Sequence, residues 1–304
     1  MAVLRGRYIN LKGSQERRSQ IQKQLIKLEK QRYYERLEAV KGDAEEASQR
    51  NLNAGELGLW KSWIKLLSEE SEKSVEYDFL HIIEDDCILT KEFFQACNNL
   101  NIISKKYDLI ATDMYVNPSI YRYLTKTTEI DPNNKRVTIQ SNLYTGCTSS
   151  ILVPKDKIEK LRKLFTTEYS KNKKLVPIDN FLIRLQEQKR IKTGITLPFL
   201  TSILPESIGT STIQCREEEA IISKTQKICY LLRKKLSITC ENTFSSDIIR
   251  AATELINLNV NSQKRERDVV TEMTISYLEQ KQYCNYKYRK NLVGEPLNSQ
   301  KKPK

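Results

Sequence analysis

Short apolar runs alternate with amphipathic helical stretches over about the first two hundred residues of the chain. Residues 3–11 have the pattern of a strand, and Ser14 stands where it can cap a helix. Ile21, Leu25 and Leu28 then recur at helical spacing. This repeated strand and helix pattern predicts an α/β sheet with crossover helices.

A second short strand is expected at residues 36–40, closed by Gly42, and a long helix follows a polar loop. The helix carries two apolar stripes, formed by Leu57, Trp60, Ile64 and Leu67 and by Leu59, Trp63 and Leu66. A helix that is apolar on two sides packs between layers of a protein. We therefore expect this helix to be buried.

The next strand pattern covers residues 79–83 and runs directly into Glu84, Asp85 and Asp86. A continuous apolar run is typical of a central parallel strand. Ligands of open α/β sheets bind beyond the carboxyl ends of the strands. The three acidic residues are therefore expected at the ligand-binding edge of the sheet.

From about residue 216 the sequence becomes charged, poor in glycine and helical in pattern. It predicts a main domain over residues 1–215, a helical C-terminal extension over residues 216–290 and a disordered tail over residues 291–304. The extension carries an apolar face flanked by basic residues such as Arg233. That face predicts docking on a membrane surface or self-association into a homo-oligomer, and a helix pair that only covers the main domain is the alternative.

Basic residues exceed acidic ones, with 51 Lys and Arg against 38 Asp and Glu and a formal net charge of +13. Such a balance favours anionic partners, which include nucleotide phosphates, phosphorylated glycolipids, an acidic membrane surface and nucleic acid. Charge alone does not choose among them.

Several classes of protein are disfavoured by composition. No apolar run approaches the roughly 18 to 20 residues of a membrane span, and Arg5 and Arg7 interrupt the N-terminal apolar stretch, unlike a secretory signal. The seven cysteines form no CxxC pair, which indicates a reducing cytosol. His81, the only histidine, lies in an apolar strand, which argues against Ser-His-Asp and Cys-His catalysis. We expect a cytoplasmic protein whose contact with the inner face of a membrane is at most peripheral.

The acidic cluster supplies the hard oxygen ligands that Mn²⁺ or Mg²⁺ prefers. Such a cation neutralises the diphosphate that leaves when a sugar is transferred from a nucleotide donor, while phosphate oxygens and waters complete its coordination. Three acids in a row also occur at solvated strand ends. The cluster alone therefore does not decide between the two interpretations.

Four motifs, taken in their order along the chain, favour the metal site over the solvated strand end. They are Tyr-Ile-Asn-Leu-Lys at residues 8–12 with Glu-Arg-Arg at 16–18, residues 36–42, Gly-Glu-Leu-Gly at 55–58 with Ser62, and Ile-Glu-Asp-Asp at 83–86. Their order resembles the signature of the lipopolysaccharide-modifying sugar transferases of glycosyltransferase family 25. The resemblance covers about residues 5 to 215, and it includes a late Pro-x-Asp motif at residues 177–179 and a closing Ser-x-Ile element at 211–213.

The resemblance implies a GT-A-like, Rossmann-like fold with a mixed sheet flanked by helices. It also implies a UDP-sugar donor, most often UDP-galactose, a glycan or glycolipid acceptor such as lipopolysaccharide, and inversion at the anomeric carbon. Asp86, and with it Glu84, would be the ligands of Mn²⁺ or Mg²⁺. The residues expected beside the nucleotide are Tyr8, Asn10, Leu11, Arg17, Arg18, Ala39, Val40, Gly42 and Asp85.

Inversion requires the acceptor hydroxyl to lose its proton as it attacks. Asp179 of the Pro-x-Asp motif is the candidate base, and Asp113, at another strand end, is the runner-up. The simpler interpretation of Asp179 is a helix cap, because it precedes an apolar helical run.

Other residues of the motifs also have simpler interpretations. Strand packing would explain Tyr8 and Leu11, and turn chemistry would explain Gly42 and Gly55. Trp63 stands where the family commonly has histidine, and a core position suits it better than ligand stacking. Residues 146–150 also depart from the Gly-Tyr-rich segment of the family, so the donor sugar remains open.

Two alternatives from other classes of protein remain. The first is a nucleic-acid-binding protein, suggested by the charge and by the Tyr-rich and Lys-rich residues 283–290. That stretch has no recognisable domain signature, so nucleic acid is not the expected partner. The second is a catalytically silent relative that acts as a scaffold through its helical C-terminus.

Overall fold

The computed structural model of the protein describes residues 3–98, 104–127, 137–205 and 229–238. Its strands and helices follow one another as β1 (Leu4–Asn10), α1 (Gln15–Lys27), β2 (Tyr34–Glu38), α2 (Ala44–Gln49), α3 (Ala54–Ser71), β3 (Phe79–Glu84), β4 (Cys87–Ile88), α4 (Lys91–Asn98), β5 (Leu109–Ala111), α5 (Pro118–Thr127), β6 (Thr138–Ser141), β7 (Ser150–Pro154), α6 (Ile158–Lys171), α7 (Ile178–Glu187), β8 (Thr193–Leu197) and β9 (Ser202–Ile203). Residues 229–235 are helical as well.

One mixed sheet holds seven of these strands in the order β2-β1-β3-β7-β5-β8-β6. Strand β1 pairs in parallel with β2 and with β3, whereas β7 runs antiparallel to β3 and to β5. The predicted α/β class and the mixed sheet flanked by helices are confirmed. The expected central strand β3 is central, but only one of its two neighbours is parallel to it.

Helices cover both faces of this sheet, which explains the continuous apolar strand patterns. Leu80 and Ile82 of β3 pack in one core cluster with α3, α6 and α7. Phe79 and Ile83 alternate with them and pack in a second cluster with α1 and α4. Because β3 is buried on both faces, it has no polar side, and its sequence is therefore an unbroken apolar run.

Helix α3 is buried as its two apolar stripes predict. It begins with a capping box, in which Asn53 accepts from the Glu56 amide and Glu56 accepts from the Asn53 amide. Trp63 is fully buried, and its ring stacks on Phe165 with the ring centroids 5.4 Å apart. The interpretation of Trp63 as a core residue is confirmed.

The start of α1 differs from its predicted form. Ser14 is the residue at the N-cap position, but its side chain makes no capping hydrogen bond. The Ser14 carbonyl oxygen instead accepts from the Arg18 amide and from Asn10 Nδ2. Ser14 therefore contributes a backbone acceptor at the end of β1 rather than a side-chain cap.

The connections around β1 create a crevice. Helix α1 leads from β1 to β2 on one side, and α2 and α3 lead from β2 to β3 on the other side. The strand order therefore reverses at β1. In open α/β sheets, a crevice of this kind at the carboxyl ends of the strands is where ligands bind.

Part of the predicted extension belongs to the main core. Leu231, Leu232 and Leu236 are buried in the cluster that packs on α3, α6 and α7. Arg233 is also buried, so its expected place at the edge of an exposed docking face is wrong. The rest of residues 216–290, the closing motif at 211–213 and the tail lie outside the described residues.

No helix in the described part of the chain combines the length and the apolar character that a membrane span requires.

Candidate active site

A cleft of about 310 Å³ opens at the carboxyl ends of β1, β2 and β3. Its size is at the lower end of the range of small-molecule sites. Four separate segments line it: Ile9, Leu11, Ser14 and Arg17; residues 39–42; Ala54, Gly55, Gly58, Leu59 and Ser62; and Glu84, Asp85 and Asp86. The four motifs of the sequence thus meet in one place.

Most of the predicted nucleotide and metal residues line this cleft, namely Leu11, Arg17, Ala39, Val40, Gly42, Glu84, Asp85 and Asp86. Tyr8, Asn10 and Arg18 are not among its lining residues. Tyr8 is buried in the core against α1, as strand packing predicts, and its hydroxyl accepts from Gln22 Nε2. Arg18 is exposed on α1.

Asn10 is buried and connects the strands that form the cleft. Its Nδ2 donates to Asp85 Oδ2 at 2.7 Å and to the Ser14 carbonyl oxygen at 3.0 Å. Its Oδ1 accepts from Arg36 Nε of β2 at 3.0 Å. Asn10 therefore fixes the position of Asp85. The sequence did not predict that Arg36 takes part in this hydrogen-bond network.

The loop after β2 lies directly against the first turns of α3. A Cβ atom on Gly42 would lie 1.8 Å from the Ala54 carbonyl oxygen, and one on Gly58 would lie 2.6 Å from the Val40 carbonyl oxygen. The interpretation of Gly42 as ordinary turn chemistry is therefore wrong, because close backbone packing is what requires glycine there. Two separated motifs form this single wall of the cleft.

Acidic side chains dominate the β3 end of the cleft. Burial, followed by the nearby charge of Asp86, raises the pKa of Glu84 to about 8. Arg17 Nη1 lies 3.3 Å from Asp85 Oδ1 and 3.9 Å from Asp86 Oδ2. A divalent cation would relieve the repulsion between Glu84 and Asp86.

Among the described residues there is no group of three or more His, Cys, Asp or Glu side chains that could hold a metal ion. Glu84 and Asp86 can therefore supply only part of a coordination shell. The hard oxygen donors suit Mn²⁺ or Mg²⁺ when phosphate oxygens and waters supply the rest. The residues fit such a shared site.

Asp179 lies in the first turn of α7, but it does not cap the helix. The residue at the N-cap position is Pro177, and no side-chain capping hydrogen bond is present. The Asp179 carboxylate instead accepts from Tyr144 Oη at 3.2 Å and from the Cys147 amide. Burial raises the pKa of Asp179 above its ordinary value, which makes it a stronger base once ionised.

Asp113, the alternative base, has a different role in the structure. It follows β5 at the same edge of the sheet, is fully buried and accepts from Arg233 Nε and Nη2 with its two carboxylate oxygens. A general base must reach the acceptor hydroxyl, and Asp113 exposes no surface with which to do so. The structure therefore argues against Asp113 as the base.

Residues 144–149, here called the bridging loop, connect the acidic cluster to Asp179. Thr148 Oγ1 donates to Glu84 Oε1 at 2.7 Å, while Tyr144 and Cys147 donate to Asp179. The sequence marked this segment only as a departure from the family pattern. The one local signal in the sequence was the glycine at position 146, a residue type that tolerates positive φ. Its φ in the structure is 114°.

The described geometry therefore assembles a cleft, a cluster of carboxylates and a separate carboxylate with raised pKa. No protein-family model and no curated protein sequence matches this chain, so the resemblance to glycosyltransferase family 25 rests on the motifs alone.

Proposed function

We propose that the protein is a GT-A-type glycosyltransferase that moves a sugar from a UDP-sugar to a glycan or glycolipid acceptor with inversion. The observation that carries the proposal is the convergence of four separated motifs on one cleft at the carboxyl ends of β1, β2 and β3. Scattered motifs that had arisen by chance would have no reason to meet at a ligand-binding edge.

The cleft suits a nucleotide diphosphate. Ile9, Val40 and Leu59 supply apolar surface for the base and the ribose, and Arg17 and Lys41 supply positive charge for the phosphates. Asp85, held by Asn10, is expected to accept from a ribose hydroxyl. The hydrogen bonds of Asn10 keep that carboxylate in place before the donor arrives.

Asp86 and Glu84 would hold Mn²⁺ or Mg²⁺ together with the diphosphate oxygens. When bound, the cation neutralises the negative charge of the leaving diphosphate. Arg17, which lies near both Asp85 and Asp86, would contribute positive charge on the same side.

Asp179 would remove the proton of the acceptor hydroxyl. Its carboxylate is oriented by Tyr144 and by the Cys147 amide, and its charge adds to the burial and the Asp86 charge that raise the pKa of Glu84. Asp179 is not among the residues that line the cleft, and the bridging loop is what connects it to Glu84 on the donor side. Inversion then follows from a single displacement in which the acceptor oxygen attacks opposite the leaving diphosphate.

The identity of the sugars extends this proposal. UDP-galactose is the expected donor, and lipopolysaccharide or another surface glycan is the expected acceptor. Both follow from the motif resemblance, and Trp63 in the family's histidine position makes the donor sugar the first property to measure.

The experiment is a panel of nucleotide sugars incubated with the purified protein, Mn²⁺ and simple sugar acceptors, with release of the nucleotide diphosphate as the readout. We expect turnover with one UDP-sugar and none with EDTA. Metal-dependent UDP binding without turnover of any donor would instead favour the silent scaffold. Absence of both UDP binding and turnover would overturn the proposal.

A further inference from the structure

Arg233 contacts more than its ion-pair partner. While its Nε and Nη2 donate to Asp113, Nη2 also lies 3.2 Å from Cys147 Sγ and 3.1 Å from Ser149 Oγ. Both members of the ion pair are buried. The segment of residues 229–238 therefore contacts the bridging loop through the Arg233 guanidinium.

The bridging loop connects the two halves of the proposed active site. On the donor side, Thr148 donates to Glu84, and the Glu84 amide donates to the Ser149 carbonyl oxygen at 3.0 Å. On the acceptor side, the Cys147 amide donates to Asp179. Any displacement of residues 147–149 would therefore move both carboxylates.

The loop needs support from outside to keep its shape. Cys147 has a positive φ of 82°, a conformation that is unfavourable for a residue with a side chain, and Gly146 before it has φ of 114°. Such a backbone persists only where the surroundings hold it. The Cys147 and Ser149 side chains are the groups that Arg233 contacts.

We infer that Arg233 is a positioning residue of the active site and that residues 229–238 complete the site by locking the bridging loop. This inference rests on the proposed function. Asp113 then orients the guanidinium through a bidentate contact, since a planar fork held at two points has one orientation. The segment that the sequence assigned to an extension thereby positions the loop that holds the two active-site carboxylates.

The test replaces the ion pair with apolar residues of similar size in the double variant Asp113→Leu/Arg233→Met. Substitution of Arg233 alone would leave a buried, unpaired carboxylate and would destabilise the fold, whereas apolar replacement of both partners is commonly tolerated. The single variant Arg233→Lys keeps a positive charge beside Asp113 but lacks the second nitrogen that reaches the bridging loop.

Two measurements follow. In steady-state kinetics, we expect the UDP affinity of the double variant to stay within about threefold of wild type while its kcat falls at least about tenfold. The kcat of Arg233→Lys should lie between those of wild type and the double variant. In hydrogen–deuterium exchange, we expect peptides that cover residues 144–149 to exchange at least about tenfold faster, while peptides of β1 are unchanged.

Each outcome decides a separate point. Wild-type kcat in the folded double variant would overturn the role of Arg233 in catalysis, and unchanged exchange in the bridging loop would overturn its role as a lock. If the wild-type protein neither binds UDP nor transfers sugar, the proposed function fails. The exchange experiment would still show whether Arg233 orders the loop, because it needs no activity.

Discussion

The Val40 amide donates a hydrogen bond to Ser62 Oγ at 2.8 Å, and Ser62 Oγ in turn donates to the Gly58 carbonyl oxygen at 2.7 Å. The loop after β2 and helix α3 are thereby joined through one hydroxyl. Because both elements line the cleft, the contact sets the width of the site as well as the packing. The wall formed in this way can be tested by adding a single methyl group.

Gly58→Ala should weaken both folding and nucleotide binding. In an exposed helix the change to alanine stabilises by about 1 kcal/mol. Here the new Cβ would lie 2.6 Å from the Val40 carbonyl oxygen and 3.0 Å from the Gly42 amide, and backbone atoms yield little. We expect the free energy of unfolding to fall by about 1–3 kcal/mol and UDP affinity to fall about tenfold, measured by urea denaturation and titration calorimetry.

Gly13→Ala is the matched control, because a Cβ at that position would meet nothing within 4 Å. It should leave both measurements close to wild type. Wild-type UDP affinity in Gly58→Ala would show that the loop after β2 does not form the nucleotide site.

Asp86→Ala should remove the metal dependence of nucleotide binding. The substitution deletes one of the hard oxygen ligands proposed for Mn²⁺, and the side chain is partly exposed, so the fold should survive. UDP titrations with Mn²⁺ and with EDTA should then give the same weak affinity, and turnover should fall by about 10²-fold or more.

The control for Asp86→Ala is Asp156→Ala, which removes an aspartate whose side chain is 60% exposed beside Lys157. This variant should keep Mn²⁺-dependent binding. If Asp86→Ala also keeps it, the metal site proposed at the end of β3 is wrong.

His81 should make stability depend on pH. The ring is fully buried, its Nδ1 lies 2.6 Å from Tyr34 Oη and its Nε2 lies 2.8 Å from Ser150 Oγ. Burial lowers its pKa from 6.5 to about 3, so in the range from about 6.5 down to 3 the unfolded chain binds a proton that the native protein does not. The free energy of unfolding should therefore fall with decreasing pH by about 1.4 kcal/mol per pH unit from this residue.

His81→Gln isolates this contribution, because glutamine keeps a donor and an acceptor but does not titrate. Urea denaturation at pH 7, 6 and 5 gives the free energy of unfolding of each protein. The wild-type value should fall relative to that of His81→Gln as the pH falls. Parallel curves would mean that His81 titrates alike in both states.

Much of the fold could be predicted because it is encoded locally. The apolar run of β3 and the stripes of α3 reflect burial on both faces, and the end of a strand is visible where Glu84 begins the acidic residues. The residues that line the cleft could be predicted from the four motifs and their order along the chain. The family resemblance implied that Leu11, Val40 and Asp86 lie at one site, and they line one cleft in the structure because the ends of β1, β2 and β3 meet at one edge of the sheet.

Long-range contacts account for what was missed. Arg233 and Asp113 are 120 positions apart, and nothing near either residue signals the other. Gly42 looks like a turn residue until α3 is packed against it. Asp179 looks like a cap until the bridging loop supplies its donors. In each case a partner from another element decides the role.

Tyr144→Phe should move the acidic limb of the pH–rate profile. The Tyr144 hydroxyl donates to Asp179 Oδ1, and this hydrogen bond lowers the pKa of Asp179 against the larger, opposite effect of burial. Its removal should raise that pKa further. A base works only when it has lost its proton, so kcat should fall off at higher pH than in wild type, with UDP affinity unchanged. An unmoved limb would mean that another group titrates.

Asp179→Asn tests the base itself. Asparagine keeps the shape of the side chain, and its Oδ1 can still accept from Tyr144, but the amide nitrogen cannot take up a proton. The donor side of the cleft is built from β1, β2, α3 and the end of β3, so UDP and Mn²⁺ should bind as in wild type. Turnover should fall by about 10²-fold or more, because the acceptor hydroxyl then attacks without losing its proton to a carboxylate. Asn180→Ala, at the exposed neighbouring position, is the control and should turn over normally. If Asp179→Asn transfers sugar at a rate near wild type, proton removal must be assigned to another group, and Asp179 would be left as an anchor for the bridging loop.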